Sequence, residues 1–192
     1  MTDPRADQYA CTASILDVTP DAAVVSNLGV ASYVLASVSP PDRARNFYQW
    51  GSMGVTTAVG LGLAISTDEP VTVLEGDGSL LMSLGTLATV ARCDPDNLTV
   101  VVWANDVYGT TGGQSLQAGH TDLAAIAEAS GLDAVSVRTS EAFADAYRAA
   151  VESTSVSVIV CHVDPVDPDA RPPFDFPYIA RRARNSLATD PS

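Results

Sequence analysis

Two short segments carry residues suited to holding a metal ion on a phosphorylated ligand. Gly76-Asp77-Gly78-Ser79 combines one carboxylate with two glycines and a hydroxyl, and Asn105-Asp106 follows with 26 residues between Gly78 and Asn105. Asp77 and the amide oxygen of Asn105 are hard oxygen donors. They suit Mg²⁺, which prefers octahedral oxygen coordination and accepts phosphate oxygens readily. Gly76 and Gly78 allow the backbone close to an anion, while Ser79 and the start of a following helix point N–H donors and a positive dipole end at it. A Gly-Asp-Gly triplet alone is a common strand–helix turn. Its weight comes from the strand–helix–strand pattern that separates it from Asn105. Upstream, Gly51-Ser52-Met53-Gly54 is a glycine turn around one Met, a residue that in isolation would read as core packing.

The elements that must position these residues alternate along the chain. Strands are expected at 22–26, 46–50, 71–75, 98–104, 134–137 and 156–163. Helices are expected at 7–16, 31–37, 55–65, 80–92, 121–130, 140–152 and 179–187. Asp122 falls in the first turn of its helix and Ser140 is a good N-cap. Leu98–Ala104 (LTVVVWA) is apolar throughout, as a parallel strand covered on both faces should be. The alternation predicts an α/β fold of three layers, a central parallel sheet with helices on both faces. Gly76–Ser79 and Asn105 would then share one carboxyl edge, where open α/β sheets bind ligands. Gly60 and Gly62 inside the 55–65 helix permit close approach of another backbone.

Composition narrows the function further. The 192 residues suit a single domain over 1–192, with a polar N-terminal end and a Pro/Asp-rich C-terminal end. Net charge is −13 and all 10 basic residues are Arg, which speaks against nucleic acid as a partner. Apolar runs stop well short of the roughly 18 residues a membrane span needs. The polar start reads as no secretory signal. Cys11, Cys93 and Cys161 are widely spaced and fit reduced thiols in a cytoplasmic protein. The acidity fits either salt adaptation or compositional drift with a gain in solubility.

With these residues in place, the chain resembles the diphosphate-binding domain of thiamine-diphosphate enzymes over residues 22–163. The resemblance implies thiamine diphosphate and Mg²⁺ as cofactors. It implies Asp77, Asn105 and the backbone carbonyl of Val107 as metal ligands, with Gly76, Gly78, Ser79, Tyr108 and Gly109 near the diphosphate. It also implies that Gly51, Ser52 and Met53 meet the middle of the cofactor. There the Gly51 carbonyl accepts from the aminopyrimidine and Met53 supports the bend of the cofactor, an effect of proximity. Asp106 stands where relatives usually carry a second Asn. In the family a glutamate from a pyrimidine-binding domain activates the cofactor. Glu75, placed by strand geometry at the metal edge, is not that residue. The resemblance therefore implies a partner α subunit carrying the pyrimidine-binding domain and its glutamate, in a hetero-oligomer.

Segments NFYQWGSMG (46–54), GLGLA (60–64), GDGSLLMSLGTLATVA (76–91), NDVYGTTGGQ (105–114) and TDLAAIAEASG (121–131) are similar to sulfopyruvate decarboxylase β subunits and phosphonopyruvate decarboxylases. They imply a carbon–carbon lyase acting on a 2-oxoacid, with 3-sulfopyruvate giving sulfoacetaldehyde and CO₂ as the preferred reaction. The alternatives are phosphonopyruvate or another short 2-oxoacid, an oxidative or carboligating enzyme, and a non-catalytic subunit that retains the fold. One departure bears on substrate: relatives often carry a basic segment after the first glycine turn, whereas this chain reads SNLGVASYVL (26–35). Arg43 and Arg45 are the other basic candidates, against a reading as solvated loop residues. Thr110, Thr111 and Gln114 lie in a Gly-rich loop that would suit a flap over the site or a plain structural turn. His120 could move a proton or serve as a cap. His162 reads as a partly buried core residue, and 178–184 as an exposed or subunit-facing helix.

Overall fold

A computed structural model describes residues 3–41, 43–116 and 121–187. Asp7 caps α1 (Gln8–Val18) by accepting from the amides of Tyr9 and Ala10. β1 (Ala23–Ser26), α2 (Val30–Val38), β2 (Asn46–Tyr48), α3 (Thr56–Ala64) and β3 (Val71–Gly76) follow. After them come α4 (Asp77–Leu81), α5 (Gly85–Cys93), β4 (Leu98–Ala104) and a short pair, β5 (Val107–Tyr108) and β6 (Gln114–Ser115). The remainder is α6 (Leu123–Ala129), β7 (Asp133–Val137), α7 (Ser140–Glu152), β8 (Ser157–His162) and α8 (Phe176–Leu187).

Six strands form one sheet in the order β2-β1-β3-β4-β8-β7, and every neighbouring pair is parallel. Successive side chains on a strand face opposite sides, and β4 shows the sorting clearly. Val100, Val102 and Ala104 join a core with Leu61 of α3, Leu87 of α5 and Ala127 of α6. Val101 and Trp103 join the opposite core with Ile15 of α1, Leu35 of α2, and Phe143 and Tyr147 of α7. Each fully buried Leu or Ile contributes about 1.5–3 kcal/mol. The expected three-layer α/β fold with a central parallel sheet is the observed one. Gly60 shows why small residues recur in α3: a Cβ there would stand 2.0 Å from Val73 Cγ2.

Four local expectations are corrected. The helix expected at 80–92 is two helices, because α4 starts already at Asp77 and Met82–Leu84 turn tightly before α5. Amides of Met82, Ser83, Thr86 and Leu87 donate to residues three back rather than four, at 2.8–3.1 Å. The short α4 follows the exit of β3, whereas α5 must run along the sheet to bury Leu87 and Val90. Asp122 is the N-cap of α6, accepting from the Ala125 amide. Thr139 rather than Ser140 caps α7, and the Ser140 hydroxyl instead accepts from the Asp7 amide. Finally, α8 is not wholly exposed, since Ile179 and Ala183 bury one face.

Candidate metal and diphosphate site

The sheet order places β1 between β2 and β3, and the helices that follow β1 and β3 lie on opposite faces. That makes the gap between β1 and β3 a topological switch point, where ligands of open α/β sheets bind. α2 begins at Gly29 (φ 75°) and α4 at Gly76, neither with a side-chain cap among the described residues. The first-turn amides of α2, and those of α4 apart from Gly78, are therefore available to an anion. A cleft opens here, and Asn27, Met53, Asp77, Ser79, Asn105 and Tyr108 are among its walls.

Asp77 is buried, and burial pushes its carboxyl above the ordinary carboxylate range. Its Oδ1 accepts from the Gly78 amide at 2.7 Å and its Oδ2 from the Asp106 amide at 2.8 Å. Asn105 Oδ1 accepts from the Val107 amide at 3.1 Å. The Leu116 amide donates to the Asp106 carbonyl, so the next opposed pair of the β5–β6 hairpin, Val107 and Ser115, is non-hydrogen-bonded. The Val107 carbonyl is thereby turned away from the ladder. Asp77, Asn105 and this carbonyl form an all-oxygen set at one end of the cleft. Among the described residues no group of three or more His, Cys, Asp or Glu converges on a metal-sized site. One buried carboxylate with neutral oxygens suits a divalent cation that fills its shell with phosphate and water. The cleft also holds two buried polar atoms without partners among the described residues, Gln8 Oε1 and Trp103 Nε1.

Gly78 is confined by its own chain. A Cβ there would meet Tyr108 Cε1 at 2.8 Å, Leu116 Cδ1 at 3.1 Å and Met53 Cε at 3.3 Å. The Ser79 hydroxyl, expected to face the anion, accepts from the Gly54 amide at 2.8 Å and so ties the two glycine turns together. Met53 and Gly109 line the same cleft, whereas Gly51 and Ser52 do not: both are exposed and border a neighbouring surface groove with Trp50, Val55 and Phe176. Gly51 (φ 98°), Ser52 (φ 61°) and Gly54 (φ 90°) all have left-handed backbone, unusual for a serine.

Asp106 explains its own departure from the usual Asn. It also adopts a left-handed backbone (φ 61°), which Asp and Asn tolerate alike. Its carboxylate pairs with Arg5 at 2.5 Å, and Arg5 also donates to the Val163 carbonyl at 2.8 Å. Arg5 was not among the residues expected at the site. Nor was Asn27, whose Oδ1 accepts from the Leu28 amide and the Thr56 hydroxyl at the cleft wall.

Glu75 stands near the carboxyl end of β3, two residues before Asp77, with its side chain fully buried and turned to Thr57 of α3. Its Oε2 accepts from the Thr57 amide at 3.0 Å and the Thr57 hydroxyl at 2.9 Å. Burial raises its carboxyl, partly countered by the Ser79 hydroxyl, then by the hydroxyl and amide of Thr57 and the Gly76 amide. Arg43 and Arg45 lie at the opposite, amino edge of the sheet. Arg43 donates to the carbonyls of Pro20 and Ala22, and Arg45 pairs with Glu69 at 2.9 Å. Gln114 and Thr111 bond each other within the hairpin loop, and Thr110 packs against Gly29. His162 is half-buried and 3.0 Å from the Ser136 hydroxyl. Its imidazole is pushed below the ordinary value by burial, then by Arg138 and Arg5. His120 lies outside the described residues. No helix among the described residues is long and apolar enough to cross a membrane.

Residues 25–161 match the family model described as thiamine pyrophosphate enzyme, C-terminal TPP binding domain. Sulfopyruvate decarboxylase subunit beta of Methanococcus maripaludis is 35% identical, over 82% of this chain and 84% of that one. Phosphonopyruvate decarboxylase of Streptomyces viridochromogenes is 39% identical over 93% of this chain but only 45% of its own length. Benzoylformate decarboxylase from Polynucleobacter necessarius, at 22% identity and a TM-score of 0.72, shares the fold over 84% of this chain and 34% of that one.

Proposed function

The chain belongs to the thiamine pyrophosphate enzyme family through its C-terminal TPP-binding domain, and from that premise we propose that it is the β-type subunit of a two-subunit, Mg²⁺-dependent 2-oxoacid decarboxylase. Residues 1–192 serve as one diphosphate-half domain in the cytoplasm. The observation that carries this reading is the convergence of Met53, the Asp77 turn and Asn105 on one cleft at the switch point of the sheet. Asp77, Asn105 Oδ1 and the Val107 carbonyl would hold the metal. Amides at the starts of α2 and α4, with Gly76, Gly78, Ser79, Tyr108 and Gly109, enclose the diphosphate. Met53 would support the middle of the cofactor, and the Gly51 carbonyl and Ser52 would meet its pyrimidine side. When bound, thiamine diphosphate supplies the nucleophilic carbon and the electron sink that the loss of CO₂ requires.

This chain's part in that chemistry is positioning and the exclusion of water. Tyr108 and Leu116 of the hairpin close over Gly78, leaving little room for solvent at the metal end. Gly51 and Ser52, being exposed, offer the pyrimidine side to a partner α subunit, which contributes the activating glutamate. The preferred substrate is 3-sulfopyruvate, converted to sulfoacetaldehyde and CO₂. It is supported by similarity to sulfopyruvate decarboxylase β subunits over most of both chains. A second reading, phosphonopyruvate, is favoured by the identity that runs over 93% of this chain. Turnover of a 2-oxoacid panel by the complex with its partner separates them. Sulfopyruvate should be consumed fastest; turnover of phosphonopyruvate without sulfopyruvate would overturn the preferred substrate. A complex that binds no thiamine diphosphate by calorimetry would favour a non-catalytic subunit.

A further inference from the structure

Among the described residues, Glu75 is the one buried carboxylate beside the site for which the proposed chemistry has no use. It occupies a strand position whose neighbours on the same face, Val73, Val100 and Val102, are apolar. A charged or polar group buried there costs more than a Val would. What it gains is visible in its partners. α3 begins at Val55, which offers no side-chain cap, so the first-turn amides of α3 need an acceptor from elsewhere. Glu75 Oε2 takes both the amide and the hydroxyl of Thr57, while Oε1 takes the Gly76 amide at 3.2 Å. Thr57 lies three residues after Gly54, and Glu75 lies two residues before Asp77.

A second tie runs parallel to the first, from the Gly54 amide to the Ser79 hydroxyl at 2.8 Å. A third tie joins Thr56 to Gln49 at 2.7 Å, bracing the other end of the Gly51–Gly54 turn. All of these side chains are buried. The turn that carries Met53 is thus linked to the turn that carries Asp77 by hydrogen bonds inside the protein, not only by whatever ligand lies between them.

We infer that Glu75 is a positioning residue that caps α3 from the neighbouring strand and so sets the span between the Met53 turn and the Asp77 turn. It touches neither cofactor nor metal, and its effect is confined to ligands long enough to reach both turns. This inference rests on the thiamine-diphosphate reading of the cleft. Inorganic pyrophosphate with Mg²⁺ engages only the Asp77 end, whereas thiamine diphosphate with Mg²⁺ must also meet Met53.

The test is titration calorimetry of both ligands on the complex with its partner subunit, in wild type, Glu75→Gln and Thr57→Val. Thr57→Val removes only the hydroxyl bond and nearly preserves shape, so it guards against a Glu75 variant that fails to fold. Glu75→Gln should weaken thiamine diphosphate about tenfold, the scale of one buried hydrogen bond lost. Thr57→Val should weaken it by a smaller factor in the same direction. Magnesium pyrophosphate should bind all three alike. Equal weakening of both ligands would make Glu75 a general support of the Asp77 turn and overturn the inference. So would unchanged thiamine diphosphate affinity in both variants. If the wild-type complex binds pyrophosphate but not thiamine diphosphate, the cofactor reading fails, and the inference with it.

Discussion

In the proposed reading the Asp77 turn and the Gly51–Gly54 turn face the same ligand, and they are built in opposite ways. At the first, the chain crowds the turn itself: Asp77 is buried, and a methyl group at Gly78 would press on Tyr108, Leu116 and Met53. At the second, Gly51 and Ser52 are exposed, and a Cβ at Gly51 would meet nothing within 4 Å. Ser52 keeps a left-handed backbone there, at a cost of roughly 1–2 kcal/mol. Unfavourable backbone persists where the surroundings over-determine it, and here the ties to Ser79, Thr56 and Thr57 do so from inside. The contrast teaches where the chain is sufficient and where it needs another surface. In that reading the Asp77 end is enclosed by the chain itself, and the Gly51 end is a shaped but open edge.

The sharpest way to break this comparison is to remove the enclosed end. Asp77→Ala should abolish Mg²⁺-dependent pyrophosphate binding, a loss of roughly a hundredfold or more, given that even outer-shell changes at metal sites cost 10–100-fold. Calorimetry on the complex checks it. Retained binding would mean that helix amides alone hold the anion.

Next in size is a matched pair of glycine substitutions. Gly78→Ala should lower thiamine diphosphate affinity about tenfold, because three side chains must shift to admit the methyl group. Gly51→Ala meets no obstacle and should cost only backbone strain, about 1 kcal/mol, read as a fall in melting temperature. If the two variants lose cofactor affinity equally, the two ends are not differently enclosed.

How much of this contrast was legible in the sequence depends on the range of the interactions. VTVLE and LTVVVWA announced strands because their apolar runs are local, and the spacing of Asp77 from Asn105 placed both at one sheet edge. The closing of Arg5 on Asp106 spans 101 residues and left no local pattern. Asn27 reads as an ordinary turn residue until α3 brings Thr56 to it. Glu75 could be placed on its strand, but its direction depends on α3 lying across that face. The α4–α5 break has no local signal, because Leu80, Leu87 and Val90 satisfy a helical period across it. The hydrogen bonds switch to three-residue spacing without any Pro to mark the change.

A smaller effect concerns the pair that secures the enclosed end from outside. Asp106→Asn keeps a residue that tolerates the left-handed backbone but removes the ion pair with Arg5. Both side chains are part-exposed, so the loss should be no more than about 1 kcal/mol of stability by chemical denaturation. A larger loss would show that the N-terminal segment is held chiefly by this pair rather than by the Arg5 bond to the Val163 carbonyl.

The smallest expected effect tests whether the enclosed side extends along the sheet edge past Asp77. A second cleft there is bordered by Asp77, Asp106, Asp122, Arg138 and His162. Burial, reinforced by Arg138 and Arg5, holds the His162 imidazole below its ordinary value of 6.5, against a weaker upward pull from Asp106 and Asp122. Between the folded and unfolded values the unfolded chain binds the proton and the folded chain does not. Stability is therefore fully present above 6.5 and is lost as pH falls through the depressed value. His162→Gln preserves a partner for Ser136 and removes the titration. Melting temperatures of wild type and variant, followed downward from neutrality, should diverge below 6.5, with the wild type falling more steeply. Parallel curves would mean that water reaches the imidazole freely, and the enclosed region would then end at Asp77.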